Sequence, residues 1–157
     1  RDVLGSRGLG DVYKRQQFGC SGREYDRLYT APDAKAVMVS YADEVEDVLT
    51  AAKLLGKENV PCDVYKLVKI YPFTPELISE ISRYDVVLFA EECVACGGIG
   101  EHLEMALQKA GWQGAYIHRG VEDVRLPHAT VPQIKQSTGL DAEHLAQAIR
   151  TWKGAES

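Results

Sequence analysis

The chain has 157 residues, 45% hydrophobic and 26% charged, which suits a single packed domain. Its net charge of −5 comes with no basic stripe or cluster, so no nucleic-acid partner is expected. No apolar stretch approaches the roughly 20 residues of a membrane span, and four cysteines (Cys20, Cys62, Cys93, Cys96) do not make a disulfide scaffold at this size; no membrane and a reducing cytoplasm are expected.

Residues 1–16, RDVLGSRGLGDVYKRQ, show neither helical nor strand periodicity and give way abruptly to ordinary sequence. Residues 11–16 back-translate as GAT GTG TAT AAG AGA CAG, which resembles the transposon end used to tag DNA for sequencing, and residues 6–10 fit the rest of that adapter. The expectation is that residues 1–16 are a translated adapter and lie outside the fold, and that natural sequence begins at Gln17 within a longer reading frame. Without Arg1, Arg7, Lys14, Arg15, Asp2 and Asp11, the remainder carries about −7.

Residues 17–34 have no clear period and read as a linker or an arm from a preceding domain. Residues 36–41 (AVMVSY) form a short, β-branched run, expected to be a buried strand. Asp43 stands three residues before Glu46 in an acidic form of the capping box. Behind it Val45, Val48, Leu49, Ala52 and Leu55 recur at helical spacing until Gly56 and Asn59. Residues 62–70 (CDVYKLVKI) predict a second strand, and Thr74-Pro75-Glu76 predicts a capped helix that buries Leu77, Ile78 and Ile81.

Residues 85–90 (DVVLFA) are apolar throughout after the first, as in a strand covered on both faces. A helix over 99–110 follows, burying Ile99, Leu103, Ala106, Leu107 and Ala110, then a short strand over 114–118. A loop leads to a short helix near 131–137. Asp141 is expected to cap a last helix with Leu145, Ala148, Ile149 and Trp152 inward. Strand and helix alternation of this kind predicts a three-layer α/β domain, 35–157, with a mainly parallel sheet flanked by helices.

Chemistry-bearing motifs are sparse. Cys93-Val-Ala-Cys96 has the CxxC spacing of a redox pair at a helix start, but Glu91 and Glu92 precede it and disfavour a thiolate. No second CxxC or HxxxH offers zinc ligands, so two small buried thiols are the plainer reading. Gly97-Gly98-Ile99-Gly100 sits at a strand-to-helix turn that can hold a phosphate, or simply permit a tight turn and close packing. Of His102, His118, His128 and His144, the two on helices beside acidic residues (His102 and His144) read as solvated, and His128, in a loop, is the one to watch. With no nucleophile–base pair, paired carboxylates or metal cluster in the sequence, no catalytic, cofactor-binding or metal residue is assigned.

Three stretches together resemble the C-terminal domain of the transketolase superfamily. Residues 37–41 with the helix behind them are similar to its opening strand and helix. Glu91-Glu92, four residues, then Gly97-Gly98-Ile99-Gly100 resembles its EE-x4-GG-x-G turn, which makes Cys93 and Cys96 incidental spacers. Residues 120–141 (GVEDVRLPHATVPQIKQSTGLD) are similar to a "GLPD-x-FIPHG…EELGLD" run through Gly120, Asp123, Pro127, His128, Gly139, Leu140 and Asp141. That run favours the 1-deoxy-D-xylulose-5-phosphate synthase branch over transketolase itself or the beta subunit of a 2-oxoacid dehydrogenase. Ala129 stands where the pattern has glycine, and residues 66–69 depart from its "DLRTLKPLD" segment.

The resemblance implies a parent enzyme that uses thiamine diphosphate and Mg2+, both bound by other domains. That enzyme joins pyruvate to glyceraldehyde 3-phosphate with loss of carbon dioxide, feeding isoprenoid, thiamine and pyridoxal phosphate synthesis. The domain present would pack against the preceding pyrimidine-binding domain and help form a homodimer, binding no cofactor and being inactive alone. Glu92, Gly97, Gly98, Gly100 and His128 are then expected in structural turn and interface roles. Two other classes stay open: a stand-alone regulatory domain that binds a phosphorylated metabolite at the glycine turn, and a small thiol oxidoreductase using Cys93.

Overall fold

The structure, a computed structural model, describes residues 24–94, 98–121 and 130–156. Its strands are β1 (Tyr25–Tyr29), β2 (Ala36–Ser40), β3 (Cys62–Leu67), β4 (Val86–Val94) and β5 (Ala115–Val121). The helices are α1 (Val45–Lys57), α2 (Pro75–Ile81), α3 (Ile99–Lys109), α4 (Val131–Thr138) and α5 (Ala142–Glu156). The strands form one sheet in the order β1-β3-β2-β4-β5, parallel except for β1, which runs antiparallel along β3.

All five residues of central strand β2 are buried, and they alternate between two cores. Ala36 and Met38 face a cluster containing Val48, Ala52 and Leu55 of α1 and Leu145, Ala146 and Ile149 of α5. Val37 and Val39 face the opposite cluster with Leu77 and Ile81 of α2 and Leu103 and Leu107 of α3. An apolar run without polar alternation thus becomes the middle layer of three, as the sequence predicts. Among the described residues, no helix is long and apolar enough to cross a membrane.

Some local expectations need correction. Residues 25–29 are the edge strand β1, not an irregular arm. Only Asp26 of the five is fully buried, so no period was visible; main-chain pairing to β3 holds the strand, helped by Arg27 Nε donating to Tyr65 Oη at 2.9 Å. The Asp43–Glu46 box does not form, because a 3-10 turn over Ala42–Glu44 precedes α1, whose cap residue Glu44 makes no side-chain capping bond. The second strand stops at Leu67, leaving 68–70 exposed. β4 continues to Val94, so Glu91 and Glu92 lie within a strand and not in a loop. Thr74 does cap α2, accepting the Leu77 N–H at 3.3 Å with Pro75 at the first turn.

Candidate functional site

β2 and β4 lie side by side, yet the chain leaves β2 toward α1 on one face and β4 toward α3 on the other. In open α/β sheets this switch point opens a crevice at the carboxyl ends of the strands, where ligands commonly bind. Among the described residues, several polar side chains gather at this end of the sheet. Ser40 Oγ donates to the Ala90 carbonyl at 2.7 Å and ties the two strand ends together.

Glu91 is fully buried beyond the apolar run of β4. Its carboxylate accepts the Ile99 N–H at 3.2 Å and the Gly100 N–H at 2.6 Å, the first amides of α3. His118 of β5 approaches with Nε2 2.9 Å from Glu91 Oε2, which places the ring proton on Nε2 for a neutral imidazole. Three donors and the positive end of a helix dipole therefore compensate one buried carboxylate. Gly100 lies against the same ring, and a Cβ there would come within 2.3 Å of His118 Nε2. Tyr116 Oη donates to the Gly100 carbonyl at 2.5 Å, and burial foremost, then Glu104 and Glu91, pushes its hydroxyl pKa up.

A second cluster gathers Lys135 of α4 with Glu44 and Asp47 at the start of α1 and Glu92 of β4. Lys135 Nζ lies 2.5 Å from Asp47 Oδ2, 3.1 Å from Glu92 Oε1 and 3.3 Å from Glu44 Oε2. Glu44 has no exposed surface, and neither of its carboxylate oxygens has an aligned hydrogen bond. Burial pushes its pKa up to about 8 against the attraction of Lys135, with Asp47 and Glu92 pushing the same way as burial. Burial works against the charge of Lys135, but bonds to Asp47 and Glu92 and the attraction of Glu44 outweigh it and hold the ammonium pKa above its ordinary value.

Of the residues singled out by sequence, Gly98 is the extended cap residue of α3, Gly100 packs under His118, and Glu92 reaches Lys135. Gly97, His128, Cys20 and Cys96, and the Cys93 side chain, lie outside the described residues. Cys62 is buried in β3, and burial pushes its thiol pKa far up, so it offers no thiolate. His144 pairs with Asp141 at an exposed position, and the His102 ring lies tilted beside Tyr71 on the surface. The sequence reading named Glu91 only as half of the acidic pair and His118 only among the histidines, and gave neither them nor Glu44 and Lys135 a site role. One signal was present for Glu91: an acid directly behind a fully apolar strand and eight residues before a helix start.

The arrangement bears on what the turn can bind. Two amides that could hold a phosphate at α3 are already filled by Glu91, so an incoming anion would have to displace a buried carboxylate. Among the described residues no group of three or more His, Cys, Asp or Glu side chains is placed to hold a metal ion. Those residues do not fit thiamine diphosphate with Mg2+, which needs an anion cradle beside an oxygen-rich metal site.

The family model for the C-terminal domain of transketolase matches residues 28–145. The chain belongs to the transketolase C-terminal domain family. Among curated proteins, the 1-deoxy-D-xylulose-5-phosphate synthases of Thermotoga petrophila and Thermotoga maritima are 33% identical to it over 102 residues, covering 63% of this chain and 17% of theirs. The synthase of Magnetococcus marinus is 28% identical over 122 residues, covering 76% of this chain and 20% of its own. This transketolase C-terminal domain therefore spans about a fifth of the length of those relatives. Among solved structures, a split-gene transketolase described as an inactive beta4 tetramer superposes with a TM-score of 0.69 at 26% identity, covering 78% of this chain and 41% of that one. A transketolase from Pichia stipitis shares the fold, with a TM-score of 0.59 at 15% identity over 83% of this chain and 18% of its own.

Proposed function

We propose that this transketolase C-terminal domain is the structural, dimer-forming domain of a cytoplasmic, thiamine-diphosphate-dependent 1-deoxy-D-xylulose-5-phosphate synthase. On this reading residues 1–16 are adapter-derived, residue 17 onward belongs to a longer polypeptide, and thiamine diphosphate and Mg2+ are held by other domains of the parent. The supporting observation is at the start of α3, where the first amides of the helix are occupied by the chain's own Glu91, which His118 also meets. The family resemblance implies the reaction, pyruvate plus glyceraldehyde 3-phosphate giving 1-deoxy-D-xylulose 5-phosphate and carbon dioxide, and the relatives at 28–33% identity are named as that synthase. Gly98 and Gly100 are read as turn residues and Glu92, on β4, as an interface residue, and Gly97 and His128 are assigned to the same turn and to the interface by the family pattern.

The first experiment amplifies and sequences the source DNA across the junction between Gln16 and Gln17, then expresses the encoded parent. The expected result is a frame running upstream into pyrimidine- and diphosphate-binding domains. The parent then forms the deoxyxylulose phosphate with thiamine diphosphate and Mg2+, while the 157-residue chain forms none. A start codon just before Gln17 overturns this reading. The superposition with a split-gene transketolase at 26% identity favours transketolase as a second reading. Ketol transfer between sugar phosphates, without decarboxylation of pyruvate, would establish it.

A further inference from the structure

α4 is 8 residues long and none of them is fully buried. Val131 is 65% exposed, Ile134 is half-buried, and neither belongs to the two cores of the sheet. Both ends of the helix are satisfied locally. At the start, the Thr130 hydroxyl accepts the Gln133 N–H, and the Gln133 side-chain oxygen accepts the Thr130 N–H. At the end, Gly139 takes a left-handed conformation (φ 76°) and the Leu140 N–H donates to the Lys135 carbonyl at 2.8 Å. Leu140 itself is buried in the core shared by α1 and α5. A helix this short without apolar cover is marginal in water, because the cost of its first turn is not recovered over so few residues.

One charge supplies the missing cover. Among the described residues, the Lys135 ammonium makes every side-chain hydrogen bond and ion pair that joins α4 to another element. The hydroxyls of Ser137 and Thr138 donate back to the Ile134 carbonyl within the helix. Lys135 reaches out instead, to Glu44 and Asp47 at the start of α1 and to Glu92 of β4. Its side chain is 16% exposed and that of Glu44 1%, so the contact is shielded from water and stronger than a surface pair. We infer that α4 is a strap, folded while Lys135 is seated among Glu44, Asp47 and Glu92 and melted when it is not, with Leu140 holding the chain beyond it in place. Release bares three carboxylates that one lysine now compensates. A group that removes the charge of Lys135, or a cation that competes for its partners, opens the strap. The device belongs to the domain itself, whichever parent carries it.

Amide hydrogen exchange over residues 131–140 of the 157-residue chain, read by mass spectrometry, tests it. Lys135→Met removes the charge and keeps the apolar stem, and methionine and lysine have nearly equal helix propensity. The expected result is exchange several-fold faster in α4 than in wild type, with β2, β4 and α5 unchanged. A paired Asp47→Asn, Glu92→Gln variant, which leaves α4 itself untouched, should accelerate the same amides, and Lys135→Arg should keep them near wild type. Protection of α4 in Lys135→Met equal to wild type overturns the strap. So does an acceleration that spreads equally to α5 and β2, which would make Lys135 a general stabiliser of the fold. Wild-type α4 amides that already exchange as fast as an unstructured peptide would show that no latched state exists.

Discussion

A single carboxylate organises the end of the sheet. Glu91 is tolerable in the interior only because two α3 amides and His118 compensate it, so removing it strands buried donors at 2.6–3.2 Å. Glu91→Ala is expected to cost about 3 kcal/mol and Glu91→Gln less, since an amide oxygen still accepts one bond. Gly100→Ala should cost about 2 kcal/mol by pushing the His118 ring away from that carboxylate. Urea unfolding of the three variants checks both statements; a Glu91→Ala midpoint equal to wild type would falsify the anchoring role.

Glu44 gives the second residue-scale prediction. Its pKa rises from an ordinary 4.5 to about 8 on folding, so between those values the folded form holds a proton that the unfolded form has lost. The favourable contribution is complete below about 4.5 and is lost as pH rises toward about 8. Glu44→Gln cannot titrate. The stability of wild type relative to that variant should therefore fall by a few kcal/mol across this window, read from urea midpoints at stepped pH. A flat difference would show that Lys135 holds the carboxylate charged throughout.

At the scale of elements, helix starts divide by how local their signals are. Thr74 with Pro75 caps α2 through its own hydroxyl, and Thr130 with Gln133 forms a capping box on α4. Both bonds span three residues, and α2's was read from sequence. Thr74→Ala and Thr130→Ala should each cost about 1 kcal/mol, measured by thermal unfolding. The start of α1 was misread because Asp43 lies inside a 3-10 turn that opens with Ala42 at φ 55°, a backbone choice that residue types alone do not reveal. The start of α3 is capped from another element altogether, by Glu91. β1 escaped notice for a related reason. An edge strand is held by main-chain bonds to its neighbour, and its Tyr and Arg side chains carry no buried period.

For the whole molecule, one sheet serves two cores, and that sets its cooperativity. Leu145 of α5 packs on one face and Leu107 of α3 on the other, both fully buried against the same central strands. Each truncation to alanine should cost about 3 kcal/mol and shift one shared transition. Separate transitions for the two faces, seen by far-ultraviolet circular dichroism and tryptophan fluorescence, would show that the layers unfold independently. The acidic balance of the chain is distributed over this body: Lys135 gathers Asp47, Glu92 and Glu44, while Arg150 joins Glu58 and Glu143 at the surface.

The sequence by itself determined the layer architecture, because runs such as Val37–Met38–Val39 and Val86–Val87–Leu88 without polar alternation require cover on both faces. It also determined the order of strands and helices from β2 onward and, through the acidic pair and glycines before α3, the family pattern. The tertiary structure alone decided which member of that acidic pair is structural. Glu91 and Glu92 are neighbours with identical side chains, and strand alternation sends the first inward to α3 and His118 and the second outward to Lys135. It also brought Glu44 and Lys135 together across 91 positions, and His118 to Glu91 across 27. Pairings at such separations depend on the packing of strands and helices against one another, and no local period or spacing encodes that.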